Sequence, residues 1–292
     1  MPDTMRLQSF ELATRDIADA DLDALHALSI SVGWPHRRAD WDLLRSLGRG
    51  FASLDDIGRV FGSAMWFRHG ADCATIGMVI TSPRVQTQGG GRWMMDRILA
   101  ECGGRRVIVN ATRAAHALYL PLGFEPRATV HQIQGFVGAV PQPDGRGTGT
   151  VEPVPSGDLA AILALDGAAF GADRTAVLAR LAPLSRVLGI RRDGRWDGYA
   201  MRRPFGRGHV VGPVVAASED DAVRLVAPLL ADLAGRFARM DTRQPEGPLR
   251  ALLRRSGLGV FDTVRTLTRG GALPEVRTGR PGVYGLAAQP LS

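Results

Sequence analysis

Between an apolar run, Ala74-Thr75-Ile76-Gly77-Met78-Val79-Ile80, and an amphipathic run ending near Cys102 stands the segment Val85-Gln86-Thr87-Gln88-Gly89-Gly90-Gly91-Arg92-Trp93-Met94-Met95. An apolar strand, three successive glycines and a helical pattern predict a strand that feeds a glycine-rich turn opening a helix. Such a turn leaves backbone N–H groups pointing outward with the positive end of a helix dipole behind them. Without β-carbons at Gly89, Gly90 and Gly91 a pyrophosphate can approach the main chain closely. The segment is a candidate anion cradle built from Gln86, Thr87, Gln88, the three glycines and Arg92.

Two familiar cradles do not fit. A P-loop needs Lys-Ser/Thr after its last glycine, where Arg92-Trp93 stand. A dinucleotide fold needs a third glycine where Met94 stands, near the start of a βαβ unit.

Downstream come Val107-Ile108-Val109-Asn110-Ala111-Thr112 and then Ala115-His116-Ala117-Leu118-Tyr119-Leu120-Pro121-Leu122-Gly123-Phe124. With Gln86-x-x-Gly89-x-Gly91 ahead of them, residues 6–137 resemble the GNAT superfamily of acetyl-CoA-dependent N-acetyltransferases. The resemblance implies acetyl-CoA as co-substrate and a primary amine of a small molecule as acceptor. It implies backbone donors for the oxyanion near Val79 or Ile80. Tyr119 takes the place of the tyrosine that protonates the departing thiolate. Asn110 or Thr112 would hydrogen-bond the pantetheine arm, although either could equally satisfy local backbone. The segment around Gly33-Trp34-Pro35, between the first two helices, would help wall the acceptor pocket. The general base is left open among His69, Asp72, His131 and a water chain. Trp93 and Met94 are expected in the core, and His116 facing solvent.

The element order then starts again. After a Pro/Gly-rich linker at residues 139–150, residues 151–292 repeat a βααβββαβαβ pattern with a period of about 145 residues. Expected elements include a first strand at residues 6–13, a helix capped by Asp16, and a long helix at about 220–237 capped by Ser218. Asp166-Gly167-Ala168-Ala169-Phe170-Gly171-Ala172-Asp173-Arg174 and Gly212-Pro213-Val214-Val215-Ala216 resemble the C-terminal GNAT-like domain of bacterial tandem acetyltransferases. The fold expected is therefore mixed α/β, two tandem GNAT-like domains (1–138 and 151–292), each a mostly antiparallel sheet flanked by helices. At the second strand-to-helix junction stand Ser218-Glu219-Asp220-Asp221, with three carboxylates and no glycine. Carboxylates satisfy helix-end amides themselves and repel a pyrophosphate, so one acetyl-CoA site is expected, in the first half.

Composition bounds the rest. Of 292 residues 45% are hydrophobic and 22% charged, a balance that can fill real cores. No apolar run is long enough for a membrane span, and no basic-then-apolar leader opens the sequence. Two cysteines, Cys73 and Cys102, predict reduced thiols in a cytoplasmic protein, and no Cys/His cluster has metal-ligand spacing. The net charge of +7 comes entirely from arginine among the cations, since the sequence has no lysine. Those arginines lie in scattered pairs without interleaved aromatics, so nucleic acid is not an expected partner. Monomer and homodimer stay open, as do the rival readings of a non-catalytic acyl-CoA sensor and a nucleic-acid module.

Overall fold

The computed structural model of the protein describes residues 4–86, 89–143, 147–274 and 280–292 apart from Gln8 and Ser9, and the side chains of Leu7 and Phe10 are left aside. In the first half β1 (Thr4–Leu7) and β2 (Phe10–Asp16) precede α1 (Leu22–Ser31) and α2 (Arg38–Leu47). The strands β3 (Arg49–Leu54), β4 (Val60–His69) and β5 (Cys73–Thr81) lead to α3 (Gly90–Cys102). Then come β6 (Arg106–Ala111), α4 (His116–Tyr119) and β7 (Glu125–Phe136). In the second half β8 (Thr150–Pro153), α5 (Leu159–Phe170) and α6 (Thr175–Leu181) precede β9 (Arg186–Arg192), β10 (Arg195–Phe205) and β11 (Gly208–Ala216). The chain finishes with α7 (Glu219–Ala231), β12 (Phe237–Thr242), α8 (Pro248–Arg255), β13 (Gly259–Arg269) and β14 (Gly282–Gly285).

Three local expectations shift. Residues 6–13 belong to two antiparallel strands, with Thr4 opposite Ala13 and Leu7 opposite Phe10. Asp16 caps a 3₁₀ turn by accepting from Ala18 N, and α1 is capped by Asp21, which accepts from Ala24 N at 2.8 Å. The long helix begins at Ser218 as expected but ends at Ala231, because the backbone turns left-handed at Gly235 and Phe237 starts β12.

All strands join one mixed sheet in the order β1-β2-β3-β4-β5-β6-β13-β7-β12-β11-β10-β9-β8, with β14 added on β11. β5–β6 and β11–β12 are the parallel pairs. The middle of the order is an exchange. β13, from the second half, lies between β6 and β7, and β7, from the first half, lies between β13 and β12. Each half thus completes the other's sheet.

Side chains alternate across the strands and divide the core by face. Ala64 and Trp66 of β4 join Trp93, Met94, Met95 and Ile98 of α3 on one face. Met65 and Phe67, the intervening residues, join Leu25, Leu28, Trp41 and Leu44 of α1 and α2 on the other. That second cluster continues without a break into Val177, Leu178 and Leu181 of α6 and Tyr199 and Met201 of β10, so its core is common to both halves. At its centre Arg174 and Asp166, both fully buried, form a bidentate pair at 2.9 and 2.6 Å, and Tyr199 donates its hydroxyl to Asp166. Arg174 also donates to Ser292 O. The Asp166–Arg174 segment is therefore an internal clamp on the closing residues, and removing one partner of such a pair typically costs about 3–5 kcal/mol.

Candidate functional site

The site is made by a defect in β5. Register runs from Ser63 opposite Ile80 to Met65 opposite Gly77, so one extra residue is inserted in β5. Met78 takes φ 52°, a left-handed conformation costing a non-glycine residue about 1–2 kcal/mol. Ser63 pins the bulge by donating its hydroxyl to Met78 O at 2.7 Å. The bulge switches the faces of the strand. Ala74 and Ile76 pack toward α3, whereas Met78 and Ile80 pack toward α1 and α2. Pairing with β6 covers only Cys73 to Ile76, and from Gly77 onward the two parallel strands part. The β6-facing main chain beyond the bulge is left without a strand partner.

That parting opens a cleft of about 630 Å³. One wall is Val79, Ile80 and Thr81 of β5. The other is Thr112, Ala114, Ala115 and Leu118, and Gln86, Gly89, Gly91 and Arg92 close the end at α3. Gly89 is the residue before the helix, at φ 88°, and no side chain caps α3 among the described residues. The first N–H groups of α3 have no intrahelical partner, and Gly89 and Gly91 line the cleft. A Cβ at Gly91 would stand 3.4 Å from Leu118 Cδ2 and 3.5 Å from Thr81 Oγ1, which would narrow the space an anion would enter. Gln86 donates to Thr81 O at 2.9 Å, and Arg92 pairs with Asp96 one turn on. Gly90 is buried as the first residue of α3, and Thr87 and Gln88 lie outside the described residues.

An expected ligand, Asn110, and the expected acid, Tyr119, are placed differently from the rest. Asn110 gives its Nδ2 protons to Gln289 O (2.7 Å) and Ser292 Oγ (3.1 Å), and its Oδ1 accepts from Thr266 at 2.7 Å. Its amide holds the closing segment in place. Tyr119 is 2% exposed, packs edge-on against Phe124 in the core beside α3, and is not among the residues that line the cleft, although its neighbour Leu118 is. Burial raises its phenol above the ordinary range, which keeps it protonated.

A second, smaller cavity of about 250 Å³ adjoins the cleft and shares Val32, Trp34 and Thr112 with it. Both halves build it. Gly33, Pro35 and His36 come from the loop before α2, Gln132 from β7, Phe205 and Arg239 from β10 and β12, and Phe261 and Asp262 from β13. Gln289 and Pro290 of the closing segment complete the wall. The loop around Trp34, expected to wall an acceptor pocket, lines this cavity. The second-half residues were not legible, because they arrive through the strand exchange.

The three bases left open in the sequence do not line this cavity. His69 is fully buried; its Nε2 lies 3.0 Å from Thr75 Oγ1, which itself donates to Pro290 O, so Nε2 carries the proton. Burial and the nearby Arg174 push its pKa down to about 3. Asp72 is exposed at a turn, and His131 lies on β7, lowered by burial and Arg250. The titratable residues that do line the cavity are His36, Arg239 and Asp262. His36 is lowered to about 4 by burial and by Arg239.

The second half repeats the geometry and then closes it. β11 pairs with β12 only at His209 and Val210 before the strands part. Here β14 occupies the open edge, setting Val214 opposite Gly285 and Ala216 opposite Gly282. It is tied across to β12 by Thr242 Oγ1 donating to Tyr284 O and Leu286 N donating to Asp241 O. At the helix end Ser218 caps α7, Glu219 Oε1 accepts from Leu249 N at 2.9 Å, and Asp221 pairs with Arg192 at 2.6 Å. Among the described residues no group of three or more His, Cys, Asp or Glu side chains could hold a metal, and no helix is long and apolar enough to cross a membrane.

A splayed parallel strand pair, a bulged β5 and a helix start on glycine, without a side-chain cap among the described residues, together form the open cleft. Residues 18–124 match the sequence model described as "Acetyltransferase (GNAT) family", and residues 162–283 match that of "Acetyltransferase (GNAT) domain". The chain belongs to the GNAT acyltransferases, as a tandem member. It is 27% identical over 209 residues to an uncharacterized N-acetyltransferase, YitH, of Bacillus subtilis, covering 70% of this chain and 72% of that one. Its fold is shared by a putative acetyltransferase of Pyrococcus horikoshii (TM-score 0.76, 17% identity, 100% of this chain and 99% of that one). It is shared as well by a tandem GNAT protein from the clavulanic acid biosynthesis pathway (TM-score 0.61, 15% identity, 90% and 99%).

Proposed function

We propose that this enzyme transfers the acetyl group of acetyl-CoA to a primary amine of a small molecule by direct attack, using one site in residues 1–138. The observation that carries the reading is the open cleft between β5 and β6, which ends on the glycine start of α3, without a side-chain cap among the described residues. Gln86, Gly89, Gly90, Gly91 and Arg92, with Thr87 and Gln88, would grip the pyrophosphate. The free main-chain edge of β5 and the Thr112 side would hold the pantetheine arm, and the acetyl group would then lie at the bulge, where the cleft meets the smaller cavity.

Acetyl-CoA supplies the thioester carbon. Backbone N–H groups at Val79 or Ile80 stabilise the negative charge on the carbonyl oxygen as the amine attacks. The new carbon–nitrogen bond forms, the carbon–sulfur bond breaks, the amine gives up a proton and the thiolate takes one. Tyr119, held protonated by burial, is the proposed donor to the thiolate. Asn110 is the proposed anchor of the cavity wall, through Gln289 and Ser292. Residues 151–292 would lend cavity residues and carry no carrier site of their own, and residues 139–150 would join the halves. Cys73 and Cys102 are both buried and unpaired, which fits a reducing cytoplasmic compartment.

The test is thiol release from acetyl-CoA across amine acceptors, with Tyr119→Phe beside the wild type. The reading predicts acceptor-dependent release, with kcat lowered by Tyr119→Phe and acetyl-CoA affinity unchanged. Absence of release with every amine class would refute it.

A further inference from the structure

The smaller cavity has a chemistry of its own. Its walls set apolar and aromatic side chains, Trp34, Phe205 and Val264 among them, beside the polar Asn110, Thr112 and Gln132. Arg239 is neutralised by a bidentate pair with Asp241 at 2.8–3.1 Å. Arg203 stays out of the lining, stacked on Phe205 and donating to Ala287 O. His36 is 8% exposed, its Nδ1 is buried without a hydrogen-bond partner among the described residues, and it is neutral through the physiological range. Asp262 is different. Its carboxylate accepts only from the backbone N–H of Thr263, at 2.7 Å, and has no ion pair among the described residues.

We propose that this cavity selects a primary amine carried on a small aromatic or apolar body, and that Asp262, a residue of the exchanged strand β13, is the group that reads the amine. The inference rests on the acetyl-transfer reading above and names the acceptor class for the same site. The aromatic walls take the body, whose burial supplies affinity. Asp262, an exposed residue at the cavity's edge and the charge of its lining that has no ion pair among the described residues, attracts an ammonium and disfavours an acid of the same shape. The neutral His36 ring adds no charge to the lining.

β13 places this selector deliberately far along the chain from the carrier cleft. Register slips between Val260 and Asp262 on β7, so Phe261 is the inserted residue of a bulge. Only from Arg265 onward does β13 also pair with β6. The residues before it, 259–264, therefore border the gap that opens where β6 ends. The same carboxylate also lines an outer recess of about 620 Å³ with Arg113, His116 and Arg265. It stands where an incoming acceptor passes from solvent into the cavity.

The test is a matched trio on the full chain: 2-phenylethylamine, 2-phenylethanol and 3-phenylpropionate, titrated by calorimetry with and without saturating coenzyme A. The expected result is binding of the amine at least tenfold tighter than the alcohol, and the acid weakest. Asp262→Asn should bring amine and alcohol within twofold, Asp262→Glu should restore the preference, and neither should alter acetyl-CoA affinity. Equal binding of amine and alcohol by the wild type, tighter binding of the acid, or a preference that survives Asp262→Asn would overturn the proposal, as would failure of all three to bind. Selective amine binding with no acetyl-CoA binding would instead sink the transfer reading and leave this one standing.

Discussion

Gly77→Ala should damage the acceptor side of the site and spare the carrier side. Gly77 faces Pro290 so closely that a Cβ there would lie 2.7 Å from Pro290 Cα and closer still to its Cβ. Carbon atoms prefer about 3.5–4.0 Å, so the closing segment must retreat by about an ångström. It is held by Thr75 donating to Pro290 O and Asn110 donating to Gln289 O, and by the fully buried Leu291. Releasing it altogether would cost about 2–3 kcal/mol of apolar burial and about 1 kcal/mol for each hydrogen bond. Accommodating the methyl by local strain costs about 1–3 kcal/mol. The chain takes the cheaper route, so urea unfolding should report a loss of about 1–3 kcal/mol. Because Gln289 and Pro290 line the smaller cavity, proposed to take the acceptor, and not the larger cleft, KM for the amine should rise severalfold while acetyl-CoA affinity holds. Stability within about 0.5 kcal/mol of wild type, together with an unchanged KM, would refute the seating of this segment.

Two further outcomes follow from the same geometry. Gly91→Glu places a carboxylate at the cleft mouth where the Cβ itself meets only ordinary contacts, so acetyl-CoA affinity by calorimetry should fall at least tenfold with the melting temperature nearly unchanged; unchanged affinity would mean the pyrophosphate lies elsewhere. Acid should destabilise the fold early, because His36 and His69 are lowered to about 4 and about 3. Their folded values lie below the unfolded one of about 6.5, so the unfolded chain takes up protons first and stability falls as pH falls below about 6.5; by pH 5 the loss is about 2 kcal/mol from each, and a melting temperature flat between pH 7 and 5 would contradict it.

What the sequence disclosed was local. The strand, the three glycines and the helix at 74–102 can be read off periodicity and turn chemistry, and so can the carboxylates that fill the second helix start. The bulge at Met78 could not, because a β-branch-poor stretch such as Gly77-Met78-Val79 gives no sign of which residue will be extra. Strand exchange was equally hidden: β7 and β13 alternate as ordinary strands, and their partners are set by tertiary pairing. That is why Asp262 and Phe205, which line the smaller cavity, could not be placed there from the sequence. Closure of the second cleft has two causes, and only Glu219 and Asp221 were visible beforehand. The pairing of β14 with β11 needed the structure. Many scattered arginines likewise turn out to be paired within the fold, as Arg192 is with Asp221 and Arg202 with Asp232.

The central claim is that two copies of one architecture have diverged into a cleft that is open and a cleft filled by its own chain. Calorimetric titration of the full chain with acetyl-CoA measures this directly. The account predicts one molecule bound per chain. Two molecules per chain, or none, would contradict it.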